Sequence, residues 1–225
     1  MIELKGAGYS YGRDALLHGL DLVLAPGSFH FLTGPSGAGK TTLLKLCYGD
    51  LRPTEGRVEF LGHDGGRLTR DGLARLRRRI GVVHQDCQFL DHLTIAENVA
   101  LPLTVAGADT SERRAEVTQL LGWVGLGRRA DALPPQLSGG ERQRAALARA
   151  VITDPDMLIA DEPTGNIDWE MSQRLLGLLA ELNRLGKAVL VATHDLGLIR
   201  AAKPHVSARV LRLAGGTLQA AGAEL

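Results

Sequence analysis

The run Gly34-Pro35-Ser36-Gly37-Ala38-Gly39-Lys40-Thr41 keeps the spacing G-x-x-x-x-G-K-[ST] in full. Glycines at this spacing let backbone N–H groups converge on an anion, and a following helix presents its positive end to the same charge. Lys40 supplies the cation for the β- and γ-phosphates of a nucleotide. Thr41, with Thr42 behind it, supplies hydroxyls, and Thr41 suits Mg²⁺. A second stretch, Met157-Leu158-Ile159-Ala160-Asp161-Glu162, is an apolar run that ends in two acids. Many strands end in solvated acids. Beside a phosphate loop, however, Asp161 suits the Mg²⁺ shell and Glu162 suits the base that polarises an attacking water. A third, Leu137-Ser138-Gly139-Gly140-Glu141, reads first as a capping box, with Ser138 and Glu141 closing a helix start. Capping leaves Gly139 and Gly140 unexplained, since glycine weakens a first helical turn. Close approach of an anion to the backbone would explain them.

These groups need a scaffold that delivers them from strand ends. Residues 1–31 read as β-rich, and Phe29 to Leu32 is a short apolar run into the glycine-rich loop. Thr41 to Tyr48 suits a helix, Arg57 to Leu61 a strand, and Leu73 to Arg79 a basic helical segment. Ile80 to Val83 is a strand that ends at His84-Gln85-Asp86. From Thr94 to about Gly127 the pattern is helical, with interruptions expected at Pro102 and Gly107. Pro134-Pro135 closes this insertion. Strands at 157–160 and 188–192 flank a helix over 169–185, and the tail allows a short hairpin at Gly215-Gly216. Buried strands alternating with helices argue for a largely parallel α/β sheet.

The 225 residues are ample for one core, and 26 Lys+Arg against 25 Asp+Glu give a net charge of +1. That balance argues against a general nucleic-acid surface and leaves only a local patch at Arg75–Arg79. Cys47 and Cys87 form no CxxC pair, so neither a disulfide framework nor a zinc site is expected. Met1 to Lys5 lacks the basic and apolar regions of a signal peptide. No stretch approaches the ~20 apolar residues of a membrane span, so a role at a membrane would come through a partner.

Leu137 to Glu141, followed by Arg142-Gln143-Arg144, resembles the signature of ABC ATPases, and the similarity runs over nearly the whole chain. The resemblance implies one ATP-binding domain over 1–225. Its fold would be α/β of the P-loop NTPase type, with a mainly parallel core sheet, an N-terminal antiparallel β subdomain and an inserted helical subdomain at about 88–150. It implies ATP and Mg²⁺ as ligands. It also implies an ATP-dependent homodimer in which Ser138, Gly139 and Gly140 bind the nucleotide held by the other copy's loop. Gln85 would match the glutamine that touches Mg²⁺ and senses a membrane partner. His194 would match the histidine that contacts the γ-phosphate, and Asp168, in Gly165-Asn166-Ile167-Asp168, the aspartate that communicates across the dimer. Tyr11 would match the residue that stacks on adenine, with Tyr9 as its competitor. Stacking of this kind tolerates several bases.

Within the family, Phe31 to Lys40, Leu76 to Asp86 and Ala160 to Asp168 are most similar to the cell-division branch, the FtsE type, and Asn98 to Leu103 fits it too. That branch implies an integral membrane partner of the FtsX type, the division machinery, and a peripheral location on the cytoplasmic side of the inner membrane. Lipoprotein-release and macrolide-export ATPases share Ala-Asp-Glu-Pro-Thr-Gly-Asn and stay open as alternatives, as does a soluble nucleic-acid-associated ATPase. One departure is His84, where the family usually has an aromatic residue, and the expected effect is on packing near Gln85.

Overall fold

A computed structural model describes residues 1–12, 14–108, 112–165 and 167–220. Asn166, part of one of the stretches read above, lies outside them.

The described strands form two sheets. The first is antiparallel, built from β1 (Ile2–Tyr11), β2 (Asp14–Leu24), β4 (Glu55–Phe60) and β5 (His63–Asp64), in the order β2-β1-β4-β5. Ile2 lies opposite Leu24 and Phe60, and Leu4 opposite Leu22 and Val58, so one face of each strand is apolar. The second sheet holds β3 (Phe29–Thr33), β6 (Ile80–Val83), β7 (Met157–Asp161), β8 (Ala188–Ala192), β9 (Ala208–Ala214) and β10 (Thr217–Ala220). Its order is β10-β9-β3-β8-β7-β6, parallel except for β10. Every residue of β3, β7 and β8 is buried, because both faces are covered and the runs are apolar throughout.

Alternation along these strands divides the core. Leu32, Ile159 and Leu190 pack with Leu43 and Leu46 of α1 (Lys40–Cys47) and with the antiparallel sheet. Phe31, Leu158 and Val189 face Leu175 and Leu179 of α6 (Trp169–Arg184) and Ile199 of α7 (Leu196–Ala202). A third cluster joins α3 (Ile95–Val105), α4 (Arg114–Trp123) and α5 (Gly139–Val151) through Ile95, Val99, Leu121, Ala145 and Ala148. The basic helix α2 runs Arg70–Arg77, earlier than its arginines suggest, because the Thr69 hydroxyl accepts the Gly72 N–H and sets its start. Among the described residues no helix is long and apolar enough to cross a membrane.

Two further elements differ from the sequence reading. Pro102 does not interrupt the helical insertion but lies inside α3. It forfeits one intrahelical bond, and the buried face of Ile95, Val99 and Leu103 holds the helix through it. Gly107 does end the helix: at φ 79° it completes a paired closure, with Gly107 N–H on the Thr104 carbonyl and Ala108 N–H on that of Leu103. The tail is more than a hairpin, since β9 also pairs with β3 in the main sheet and α7 precedes it.

Candidate active site

Four parallel neighbours, β3, β8, β7 and β6, end on the same edge of the sheet. Their C-terminal ends deliver the glycine-rich loop, His194, the Asp161-Glu162 pair and Gln85, which is where ligands gather in open α/β sheets. The loop is shaped by backbone need. A Cβ on Gly34, at φ 151°, would stand 2.4 Å from the Leu213 carbonyl oxygen of β9. Gly37, at φ 78°, has open space around it and is required for its conformation alone. Gly39 then caps α1 in a left-handed conformation. The buried Lys40 ammonium donates to the carbonyls of Gly34 (2.9 Å) and Pro35 (3.3 Å) and stands 3.5 Å from a Glu162 carboxylate oxygen.

The acids are held differently. Asp161 is buried and accepts the Thr41 hydroxyl at 2.7 Å. Burial raises its pKa, and the Thr41 hydrogen bond works in the other direction. Glu162 adopts φ 47°, a conformation costly for a residue with a side chain. Its N–H on the Ala192 carbonyl (2.9 Å) and its carbonyl on the Gly165 N–H (3.1 Å) lock it there. The carboxylate is thereby aimed between Lys40 and His194, whose Nδ1 is 3.0 Å away. His194 is largely exposed, so its ring can meet a ligand from outside.

These groups enclose a cleft of about 620 Å³. Ser36, Gly37, Gly39, Lys40, Thr41, Thr42, Gln85, Asp161, Glu162 and His194 line it, whereas Gly34, Pro35 and Ala38 are not among its described lining residues. Leu16 and Gly165 line it too. Leu16 could not be read from sequence, because it lies in an ordinary strand distant from every motif. Tyr11 does not line the cleft. It stands half-exposed beside it, its hydroxyl 3.4 Å from that of Thr42 and its ring edge-on to the more buried Tyr9. His84 packs edge-on against Tyr48 at 6.1 Å, and burial lowers its pKa.

Ser138, Gly139 and Gly140 are not among the described residues lining the cleft. The capping box is present: Ser138 Oγ accepts the Glu141 N–H (3.3 Å) and Glu141 accepts the Ser138 N–H (2.9 Å). Gly140 has an internal reason besides any ligand, since a Cβ there would meet the Met171 side chain at 3.1 Å. Asp168 caps α6, accepting the Met171 N–H at 2.8 Å.

Residues 17–165 match the ABC transporter family. This chain belongs to that family. As an ABC cassette it is 48% identical over 220 residues to the cell division ATP-binding protein FtsE of Escherichia coli K12, covering 97% of each chain. It is 49% identical over 202 residues to FtsE of Haemophilus influenzae, covering 89% of this chain and 93% of that relative. The solved ABC cassette MJ0796, a dimer in a post-hydrolysis state bound to ADP and Pi, superimposes with a TM-score of 0.87 at 34% identity over 98% of both chains. The α/β fold of the P-loop ABC type expected from sequence is therefore the fold observed.

Proposed function

We propose that this chain is an FtsE-type ATPase subunit. It binds ATP in the cleft above β3 and β7, dimerises on it, and drives an FtsX-type membrane partner that regulates cell-wall hydrolysis during division. The observation that carries the reading is the convergence of Lys40, Glu162 and His194 on one cleft, beside the Thr41–Asp161 pair.

The loop N–H groups and the N-terminus of α1 receive the phosphates, and Lys40 neutralises the outer two. Glu162, fixed by its backbone bonds, takes a proton from the attacking water. His194 shares that carboxylate and holds the γ-phosphate side of the cleft. Tyr11 offers its exposed ring to the base. The residues fit a hard cation: a buried carboxylate, a hydroxyl bonded to it and the amide oxygen of Gln85 are all oxygen donors. Thr41, Asp161 and Gln85 would hold Mg²⁺, which supplies charge neutralisation at the phosphates when bound. Ser138, Gly139 and Gly140, outside their own chain's cleft, complete the site of a second copy, and Asp168 lies at that contact. Residues 88–150 act as the helical subdomain that carries this signature. The chain works on the cytoplasmic face of the membrane through its partner.

ATP hydrolysis measured with Mg²⁺ and with EDTA tests the enzyme. Phosphate release that needs Mg²⁺ and is second order in protein supports the site and the dimer, and no release under any condition refutes both. Capture from solubilised membranes with and without ATP tests the role. An FtsX-type partner supports it, and an export-type permease refutes it.

A further inference from the structure

The segment after β6 carries Gln85 to the cleft through a turn that local sequence does not favour. Cys87 and Gln88 are adjacent, neither is glycine, and both lie in the left-handed region, at φ 60° and 46°. Such a pair persists only where its surroundings hold it. Local bonds do part of this: the Cys87 N–H meets the His84 carbonyl (3.1 Å) and the Gln88 N–H that of Asp86 (2.7 Å). The rest comes from α5. The Arg149 guanidinium donates to the Gln88 carbonyl (2.8 Å) and also to the Cys87 carbonyl, and lies 4.7 Å from the centre of the Phe89 ring. Gln143, buried on the same helix, donates to the Gln85 carbonyl at 3.3 Å.

We propose that Arg149 is a positioning residue for Gln85. By gripping two successive carbonyls of the strained turn, it fixes where Gln85 stands in the cleft and ties that residue to the helix begun by Ser138. Only a planar fork can span both carbonyls while lying on the Phe89 ring, which a lysine ammonium cannot do. The segment that would meet a second copy's nucleotide and the segment that holds Gln85 are thus two ends of one rod, α5. This inference rests on the ATPase reading above for its kinetic consequence, but not for its structural one.

The test uses the full chain with Arg149→Lys, Phe89→Leu, Gln85→Ala and the Gln85→Ala/Arg149→Lys double variant. Hydrogen exchange at the amides of Cys87 and Gln88 is compared in each, with thermal melting as the folding check. Exchange should quicken in Arg149→Lys and, to a lesser degree, in Phe89→Leu, which keeps the proposal testable should the lysine variant not fold. In Arg149→Lys, kcat should fall about tenfold, while the Kd for a fluorescent ADP analogue stays within about twofold. The double variant should be no slower than Gln85→Ala, because the two residues act as one unit. Unchanged exchange, or losses that multiply in the double variant, would overturn the proposal. Should the wild type hydrolyse no ATP, the functional reading fails, and the exchange result still decides whether Arg149 holds the turn.

Discussion

Gly34→Ala and Gly37→Ala separate two reasons for glycine in one loop. At Gly37 the added methyl meets nothing within 4 Å, so the substitution pays only for the left-handed backbone, about 1–2 kcal/mol. At Gly34 the same methyl would stand 2.4 Å from the Leu213 carbonyl, about 0.6 Å inside the closest tolerable approach. β9 cannot yield locally, because Arg212 is paired with Thr33 and the Thr33 hydroxyl donates to the Leu211 carbonyl at 3.1 Å. The clash therefore adds about 1–3 kcal/mol to the backbone strain, for a total of about 2–5 kcal/mol. Against a stability of about 5–15 kcal/mol that is a large shift in the urea midpoint, with little change in slope. Nucleotide affinity should fall too, since the Gly34 carbonyl that holds the Lys40 ammonium moves with the loop. Equilibrium urea unfolding of the two variants beside the wild type is the assay. Equal losses at the two sites, or a Gly34→Ala protein as stable as the wild type, would refute the clash argument.

Glu162→Gln keeps a hydrogen-bond acceptor for His194 but no base, so kcat should drop about 10²–10⁴-fold while nucleotide binding persists; wild-type turnover would remove Glu162 from that role. The Ser138 N–H holds the Glu141 carboxyl below its ordinary value of 4.5, with Arg129 adding to the effect. The stability this lends is full above the unfolded value and is lost as pH falls through the lower folded value. Glu141→Gln should therefore melt lower than the wild type at neutral pH, with the gap closing below about pH 4.5, and a gap constant with pH would contradict it. Trp123→Phe removes the indole N–H that donates to Glu181 at 3.0 Å and links α4 to α6. It should cost about 1 kcal/mol in urea unfolding, and a loss near zero would show the bond to be solvent-exchanged.

Much of the site was legible because its chemistry is local in sequence. The glycine-rich loop, the acids ending an apolar run and the capping box at Ser138 each carry their evidence within eight residues. Strands β7 and β8 were legible because burial on both faces leaves unbroken apolar runs. β9 was harder to read, because Ala208 to Ala214 interleaves Arg209 and Arg212 with apolar residues and reads like a solvent-facing hairpin, although it sits beside β3. Helix α7 is seven residues long and carries too little periodicity to stand out. The second purpose of Gly140 needed Met171, thirty-one residues on, to come into contact. Arg149 gave no signal, since an arginine on a helix reads as solvated until a turn of opposite handedness is found beneath it.

The neighbours of β3 bear on how the site comes into being. This strand leads into the phosphate loop, yet the two strands that flank it are β8 and β9, from 188–192 and 208–214. On a ribosome the loop would emerge early and wait for most of the chain. Until both late strands dock, β3 has two open edges and Gly34 has no Leu213 carbonyl behind it. Nucleotide could therefore act as a checkpoint on completion, gripping only chains whose last strands are already in place.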